Sequence, residues 1–367
     1  MAFFTPPEVL LRPFVRALSN SGIQHNKPVI QSCTTQDTRC YRSAVCTTIG
    51  QPLKIQNAPL PDVPAGKVLV STFAAGINFA DLLITQGKYQ IRPETPFVPG
   101  CELAGRVEKL GKEVEGFKKG DRVIALSWGM NAFADFCLVD PHMMFPIPEH
   151  IPFTVAAGTL CSYGTAMMAL SRSACLKTGE TVLVTAAAGA TGLAAVDIAL
   201  NVFGAEVIGV CGGEDKVALL KQRGVKHIID YYTAKIPDRV KAITNGKGVN
   251  VVVDHVGGDI FMDCLKSTAF EGRIVTVGYA SGHIPKLPIN HLLLKSCSVH
   301  GVWWGDYSTR QHPAFDESIV NVMTALAQDR LHPYVGKIFP LEEINTAFDY
   351  ILNRKSSGKV VVQMKEV

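Results

Sequence analysis

Through the middle of the chain, short β-branched apolar runs alternate with Ala- and Leu-rich or amphipathic stretches. Residues 181–185 (Thr-Val-Leu-Val-Thr) suit a parallel strand covered on both faces. A small-residue turn, Ala186-Ala187-Ala188-Gly189-Ala190-Thr191-Gly192, leads into a helix over 193–203, which Gly204 stops before a second strand at 206–210. Residues 181–210 resemble a membrane span only in hydropathy. Asp197, Glu206 and the glycines at 189, 192, 204 and 209 fit a buried strand, helix and strand instead. A helix at 216–223 and strands at 227–231, 250–254, 273–278 and 298–302 continue the pattern. Six strands alternating with helices predict an α/β fold, a doubly wound parallel sheet.

The flanks differ. Over 41–160, short strands at 67–72, 101–110, 122–126 and 133–139 are separated by turns such as Lys118-Lys119-Gly120-Asp121, which predicts an antiparallel β-rich domain. Residues 358–363 share that texture, so the chain is expected to return to its first domain. The predicted layout is an extension at 1–40, a β-rich domain from 41–165 and 311–367, and the parallel-sheet domain at 166–310.

Composition adds limits. With 47% hydrophobic and 19% charged residues the chain is neither disordered nor collagen-like, and its 367 residues exceed what one core usually serves. The net charge of +4 has no long Lys/Arg run behind it, so nothing calls for a nucleic-acid partner. Arg12, Arg16, Lys27 and Arg39 outnumber Glu8 and Asp37 in the first 40 residues. That is the composition of a mitochondrial presequence, although Pro13 interrupts an early helix and a plain extension is the alternative. The ten cysteines form no C-x-x-C pair and read as reduced thiols.

The turn at 186–192 carries the chemistry. Gly189 lets backbone approach a pyrophosphate, Gly192 lets the helix pack on the strand, and the helix N-terminus offers free N–H groups. Ala188, Ala190 and Thr191 complete this binding turn. The second strand ends in Cys211-Gly212-Gly213 without the acid that would hold a ribose 2′-hydroxyl, and Lys216 is placed to reach a 2′-phosphate, which favours NADPH. The alternatives are Lys216 as a solvated first-turn residue, or Glu214 or Asp215 reaching the ribose.

Several ordered motifs resemble the medium-chain dehydrogenase/reductase superfamily, and within it the zinc-free quinone oxidoreductase group. They are Ala75-Gly76-Ile77-Asn78-Phe79-Ala80-Asp81, Pro99-Gly100-Cys101-Glu102, Lys119-Gly120-Asp121-Arg122-Val123, the glycine turn, Asp254-His255-Val256-Gly257-Gly258, and Gly358-Lys359-Val360-Val361-Val362. The resemblance implies a GroES-like catalytic domain with an inserted Rossmann domain, an active site in the cleft between them, and a homodimer. It implies that Tyr231 sits near the 2′-phosphate. Val256, Gly257, Gly278 and Tyr279 would line the cofactor, with Gly212, Gly213, Val302 and Lys359 in the same set. Asn78, Asp81 and Tyr89 would face the reacting end as the catalytic group. Leu83 stands where these reductases often have Tyr, so substrate recognition is expected to differ.

Zinc is not expected. Related alcohol dehydrogenases ligate it through a Cys where this chain has Asn78 and a His where it has Cys101. Without a Lewis acid, reduction of a quinone or an α,β-unsaturated carbonyl is the easier reaction, with charge on oxygen met by a donor such as Tyr89. The ordinary uses of these residues are a loop tyrosine for Tyr89 and a turn or helix cap for Asn78 and Asp81. Rival functions are a mitochondrial 2-enoyl thioester reductase and a low-activity NADPH- or RNA-binding protein. Trp303 and Trp304 either roof a substrate site or pack in an interface.

Overall fold

The computed structural model describes residues 40–366, so the expected extension lies outside the described residues except for Cys40. The chain runs through β1 (Cys40–Val45), β2 (Lys54–Pro59), β3 (Val68–Gly76), α1 (Phe79–Thr85), β4 (Glu102–Leu110), β5 (Arg122–Leu126), β6 (Phe136–Val139), β7 (Met144–Pro146) and α2 (Phe153–Ala156). It continues with α3 (Leu160–Met168), β8 (Thr181–Val184), α4 (Ala190–Asn201), β9 (Glu206–Cys211), α5 (Glu214–Gln222), β10 (His227–Asp230), α6 (Ile236–Ile243), β11 (Val249–Asp254), α7 (Gly258–Ser267) and β12 (Thr268–Thr276). Then follow α8 (Asn290–Lys295), β13 (Ser298–Gly301), α9 (Trp304–Thr309), α10 (Pro313–Ala327), β14 (Val335–Pro340), α11 (Ile344–Leu352) and β15 (Lys359–Gln363).

Among the described residues, one compact unit takes in 40–158 with Ile338–Arg354 and 361–366. Its seven-stranded sheet has the order β14-β15-β3-β4-β5-β7, with β6 also on β3. Strand β3 is buried along nearly its whole length, which explains its run of Val68, Leu69, Val70, Ala74 and Ala75 in place of alternation. Arg42 in the hairpin β1–β2 clamps Asp135 through Nε at 3.1 Å and Nη2 at 2.9 Å, and Nη2 also donates to the carbonyl of Met364. A guanidinium fork of this kind fixes two chain segments at once.

The other unit comprises Thr159–Lys337 and Lys355–Val360. Its six strands are all parallel in the order β10-β9-β8-β11-β12-β13, so the doubly wound sheet expected from the apolar runs is present. Leu183, Ile208, Val210, Ile229, Val252 and Ile274 form its core with Ile236, Val240, Phe261 and Leu265 from the covering helices. Helix α10, expected with the first domain, packs in this unit against α3. Trp304 is a core residue here: its Nε1 donates to Ser318 Oγ at 2.9 Å and its ring packs 4.7 Å from Phe315, while Trp303 stays partly exposed. The reading of reduced thiols is corrected at Cys40, which is disulfide-bonded; eight other described cysteines are free. No helix among the described residues is long and apolar enough to cross a membrane.

Candidate active site

The strand order reverses between β8 and β11, and in open parallel sheets that reversal leaves a crevice at the carboxyl ends of the strands. The glycine turn lies there. A Cβ on Gly192 would come within 2.2 Å of the Ala186 carbonyl oxygen, so only glycine lets α4 begin this close to β8. Gly189 caps the twelve-residue helix α4, and its N–H donates to Ala186 O at 2.8 Å. Ala188 is buried, and Ala190 and Thr191 start the helix half-buried. The N–H of Gly358 donates to Ala188 O at 2.7 Å and a parallel bridge pairs Gly189 with Gly358, which brings the buried Lys359 to the same turn. A bare backbone cradle at a helix N-terminus fits a dinucleotide pyrophosphate.

At the end of β9, a Cβ on Gly212 would lie 2.5 Å from Cζ of Tyr231, so the tyrosine ring rests directly on that glycine. Gly213 caps α5, with Lys216 in the first turn. The Cys211 thiol beneath is pushed up to about 11 by burial and by the Asp230 charge, with Lys216 pulling the other way. A concavity of about 390 Å³ borders Tyr231, Tyr232, Lys235, Ile236, Ile260 and Asp263.

Beyond β11, the fully buried Asp254 organises the next loop. Its Oδ1 accepts from Thr185 Oγ1 at 2.8 Å and from Val256 N at 3.0 Å, and its Oδ2 accepts from Gly257 N at 3.0 Å. The His255 backbone N–H donates to Thr185 Oγ1, and Nδ1 lies 2.9 Å from Thr185 O, which places the ring proton on Nδ1. Nε2 is buried without a hydrogen-bond partner among the described residues. Burial holds the His255 imidazole below its usual range, against the opposing pull of Asp254 and Thr185. Ala280 N donates to His255 O and Ser281 N to Val256 O, which folds Gly278 and the exposed Tyr279 over this loop; Val302 N donates to Thr276 O on the next strand.

In the other unit, Asn78 caps α1. Its N–H donates to Asp81 Oδ2 at 2.8 Å, so the cap role that Asn and Asp commonly take is present at these two positions. Asn78 Nδ2 lies 3.2 Å from Glu102 Oε2 and 3.8 Å from Cys101 Sγ. Glu102 is fully buried. Tyr89 is half-buried in the loop after α1, held by Lys88 N donating to Leu83 O at 2.8 Å. Among the described residues no group of three or more His, Cys, Asp or Glu side chains is arranged to hold a metal ion.

The predicted residues thus gather into three clusters along the parallel sheet's carboxyl edge and one around α1. Sequence reasoning missed Asp230, Thr185 and the anchoring roles of Asp254 and Glu102. An acid at the last position of an apolar run, just before a glycine turn, is the signal that marks Asp254.

Residues 64–149 match the family model described as alcohol dehydrogenase GroES-like domain, and 190–319 match the one described as zinc-binding dehydrogenase. A quinone oxidoreductase-like protein 2 homolog of Nematostella vectensis is 42% identical over 367 residues, covering 100% of both chains. The quinone oxidoreductase-like protein 2 of Rattus norvegicus is 45% identical, covering 89% of this chain and 93% of its own. Among solved structures, a mycobacterial protein complexed with NADPH is 30% identical with a TM-score of 0.81, covering 88% of this chain and 100% of that one. A quinone oxidoreductase of Pseudomonas syringae (27%, TM-score 0.81, 88% and 100%) and an enoyl reductase (27%, TM-score 0.79, 89% and 99%) are also similar.

Two outcomes follow from this geometry. Gly192→Ala forces α4 away from β8, so it should destabilise the chain by about 1–3 kcal/mol and weaken dinucleotide binding, read by thermal melting and NADPH fluorescence titration; wild-type binding in the variant contradicts the cradle. Because the folded-state pKa of His255 is depressed, the unfolded chain takes up its proton first, so this contribution is full above the ordinary histidine range of about 6.5 and is lost as pH falls below it. The gap between unfolding midpoints at about pH 7.5 and about pH 5.5 should narrow in His255→Asn, whose amide replaces Nδ1–H; an unchanged gap refutes the assignment.

Proposed function

Given that the chain belongs to the medium-chain dehydrogenase/reductase superfamily, in its quinone oxidoreductase-like group, we propose that it is an NADPH-dependent, zinc-independent reductase of quinones or α,β-unsaturated carbonyls. The observation that carries this reading is the close approach, open only to a glycine at Gly192, of the small-residue 186–192 turn to the N-terminus of α4 at the strand-order reversal. When bound, the nicotinamide supplies the hydride.

The chain's own residues bind and orient. The turn from Ala188 to Gly192 receives the pyrophosphate, with Lys359 beside it. Lys216 and Tyr231 favour a 2′-phosphate beside Gly212 and Gly213. The Asp254 network holds Val256 and Gly257 rigid for the nicotinamide half, with Gly278, Tyr279 and Val302 around it. Around α1, Asp81 fixes the Asn78 backbone and Glu102 fixes its amide, so Asn78 is a preset polar positioner. Tyr89 provides the phenolic donor for charge developing on the acceptor oxygen. Zinc independence is supported by the donor at Asn78: an amide nitrogen directed onto a carboxylate and a thiol takes the place of a ligand.

The enoyl reductase among the structural relatives favours a second reading, reduction of an enoyl thioester. The basic, acid-poor N-terminal residues support mitochondrial targeting. A homodimer is supported by β13, an edge strand whose His300 and Gly301 are exposed, next to Leu293 and Leu294 at 82% and 71% exposure.

A panel of a quinone, a short enone and an enoyl-CoA under NADPH should show turnover of the first two, with Tyr89→Phe lowering it about 100-fold at unchanged NADPH affinity. Preference for enoyl-CoA selects the second reading, and NADPH binding with no acceptor turned over selects a low-activity binding protein. In sedimentation velocity the chain should run as a dimer and the Leu293→Asp, Leu294→Asp double variant as a monomer; a monomeric wild type removes the dimer.

A further inference from the structure

The acid missing from the end of β9 is supplied by the neighbouring strand. Asp230 closes β10 in register with Cys211, and its Oδ2 accepts from Gly213 N, the cap of the nine-residue helix α5, at 3.2 Å. Its Oδ1 accepts from Tyr232 N at 2.9 Å, and its carbonyl accepts from Thr233 N and Ala234 N. The positive end of α5 therefore already faces a carboxylate from within the chain. The charge is felt locally: Asp230 raises the Cys211 thiol while Lys216 lowers it, so anion and cation flank one turn.

We propose that Asp230 is a specificity-determining residue: its carboxylate, held at the N-terminus of α5 by Gly213, opposes a 2′-phosphate and limits the preference for NADPH over NADH that Lys216 and Tyr231 create. The proposal rests on the dinucleotide reading above. A phosphate monoester brings up to about two negative charges to the turn, and a 2′-hydroxyl brings none. A fixed carboxylate therefore penalises the phosphorylated cofactor selectively, while a hydroxyl can donate to it. The N-terminus of α5 is shared between an internal anion and an incoming one.

Calorimetric titration of the full chain with 2′,5′-ADP and with 5′-ADP tests this without catalysis. The unsubstituted chain should bind 2′,5′-ADP more tightly, and Asp230→Asn should widen that ratio by about three- to tenfold. Lys216→Ala should narrow it, and the widening should shrink as salt is added. Asp230→Ser, a second neutral residue able to close the same turn, should move the ratio in the same direction, which separates lost charge from a distorted loop. A ratio unchanged or narrowed in both Asp230 variants, with the unsubstituted chain binding both fragments, overturns this inference alone. Failure of the unsubstituted chain to bind either fragment overturns the dinucleotide reading and this inference with it.

Discussion

Helix α4 can begin where it does only because nothing projects from Gly192 toward the Ala186 carbonyl, and the rest of the parallel unit depends on that contact. It seats the helix on β8 and β9. It also leaves the helix N-terminus facing the crevice where the strand order reverses. A β-carbon there would separate helix and sheet and remove the binding cradle in one step. Stability and ligand binding share one backbone constraint.

The chain uses one device three times, twice in the parallel unit and once in the other: a carboxylate fixes backbone N–H groups so that a loop keeps one shape. Asp254 holds Val256 and Gly257, Asp230 holds Gly213 and Tyr232, and Asp81 holds Asn78. Bonds of this charge-assisted kind are stronger than neutral ones, so loops that must present precise edges to a ligand stay ordered. The chain is a quinone oxidoreductase-like reductase of the medium-chain superfamily, and its polar residues mostly prepare surfaces.

How much of this was legible varies with the physics. Each buried parallel strand announces itself, because covering both faces demands a run such as Thr-Val-Leu-Val, while the less buried edge strands β10 and β13 were readable as continuations of the strand–helix alternation. The 186–192 turn was readable because its small residues sit between a strand and a helix. Asp230 was not, since its meaning depends on β10 lying beside β9 in register with Cys211, a relation between residues 19 apart in sequence. Glu102 was quoted within a motif, but its contact with Asn78 spans two elements, and the packing of α10 with α3 joins residues far apart along the chain. Trp304 could be placed only once Ser318 and Phe315 were seen beneath it.

The reaction proposed for this chain is hydride transfer to a conjugated acceptor without a metal. The most direct measurement is stopped-flow oxidation of NADPH by a quinone or enone, with zinc determined by elemental analysis on the same sample before and after a strong chelator. One NADPH should be consumed per acceptor reduced, at a rate the chelator does not change, with zinc far below one atom per chain. Stoichiometric zinc whose removal abolishes the reaction would contradict it.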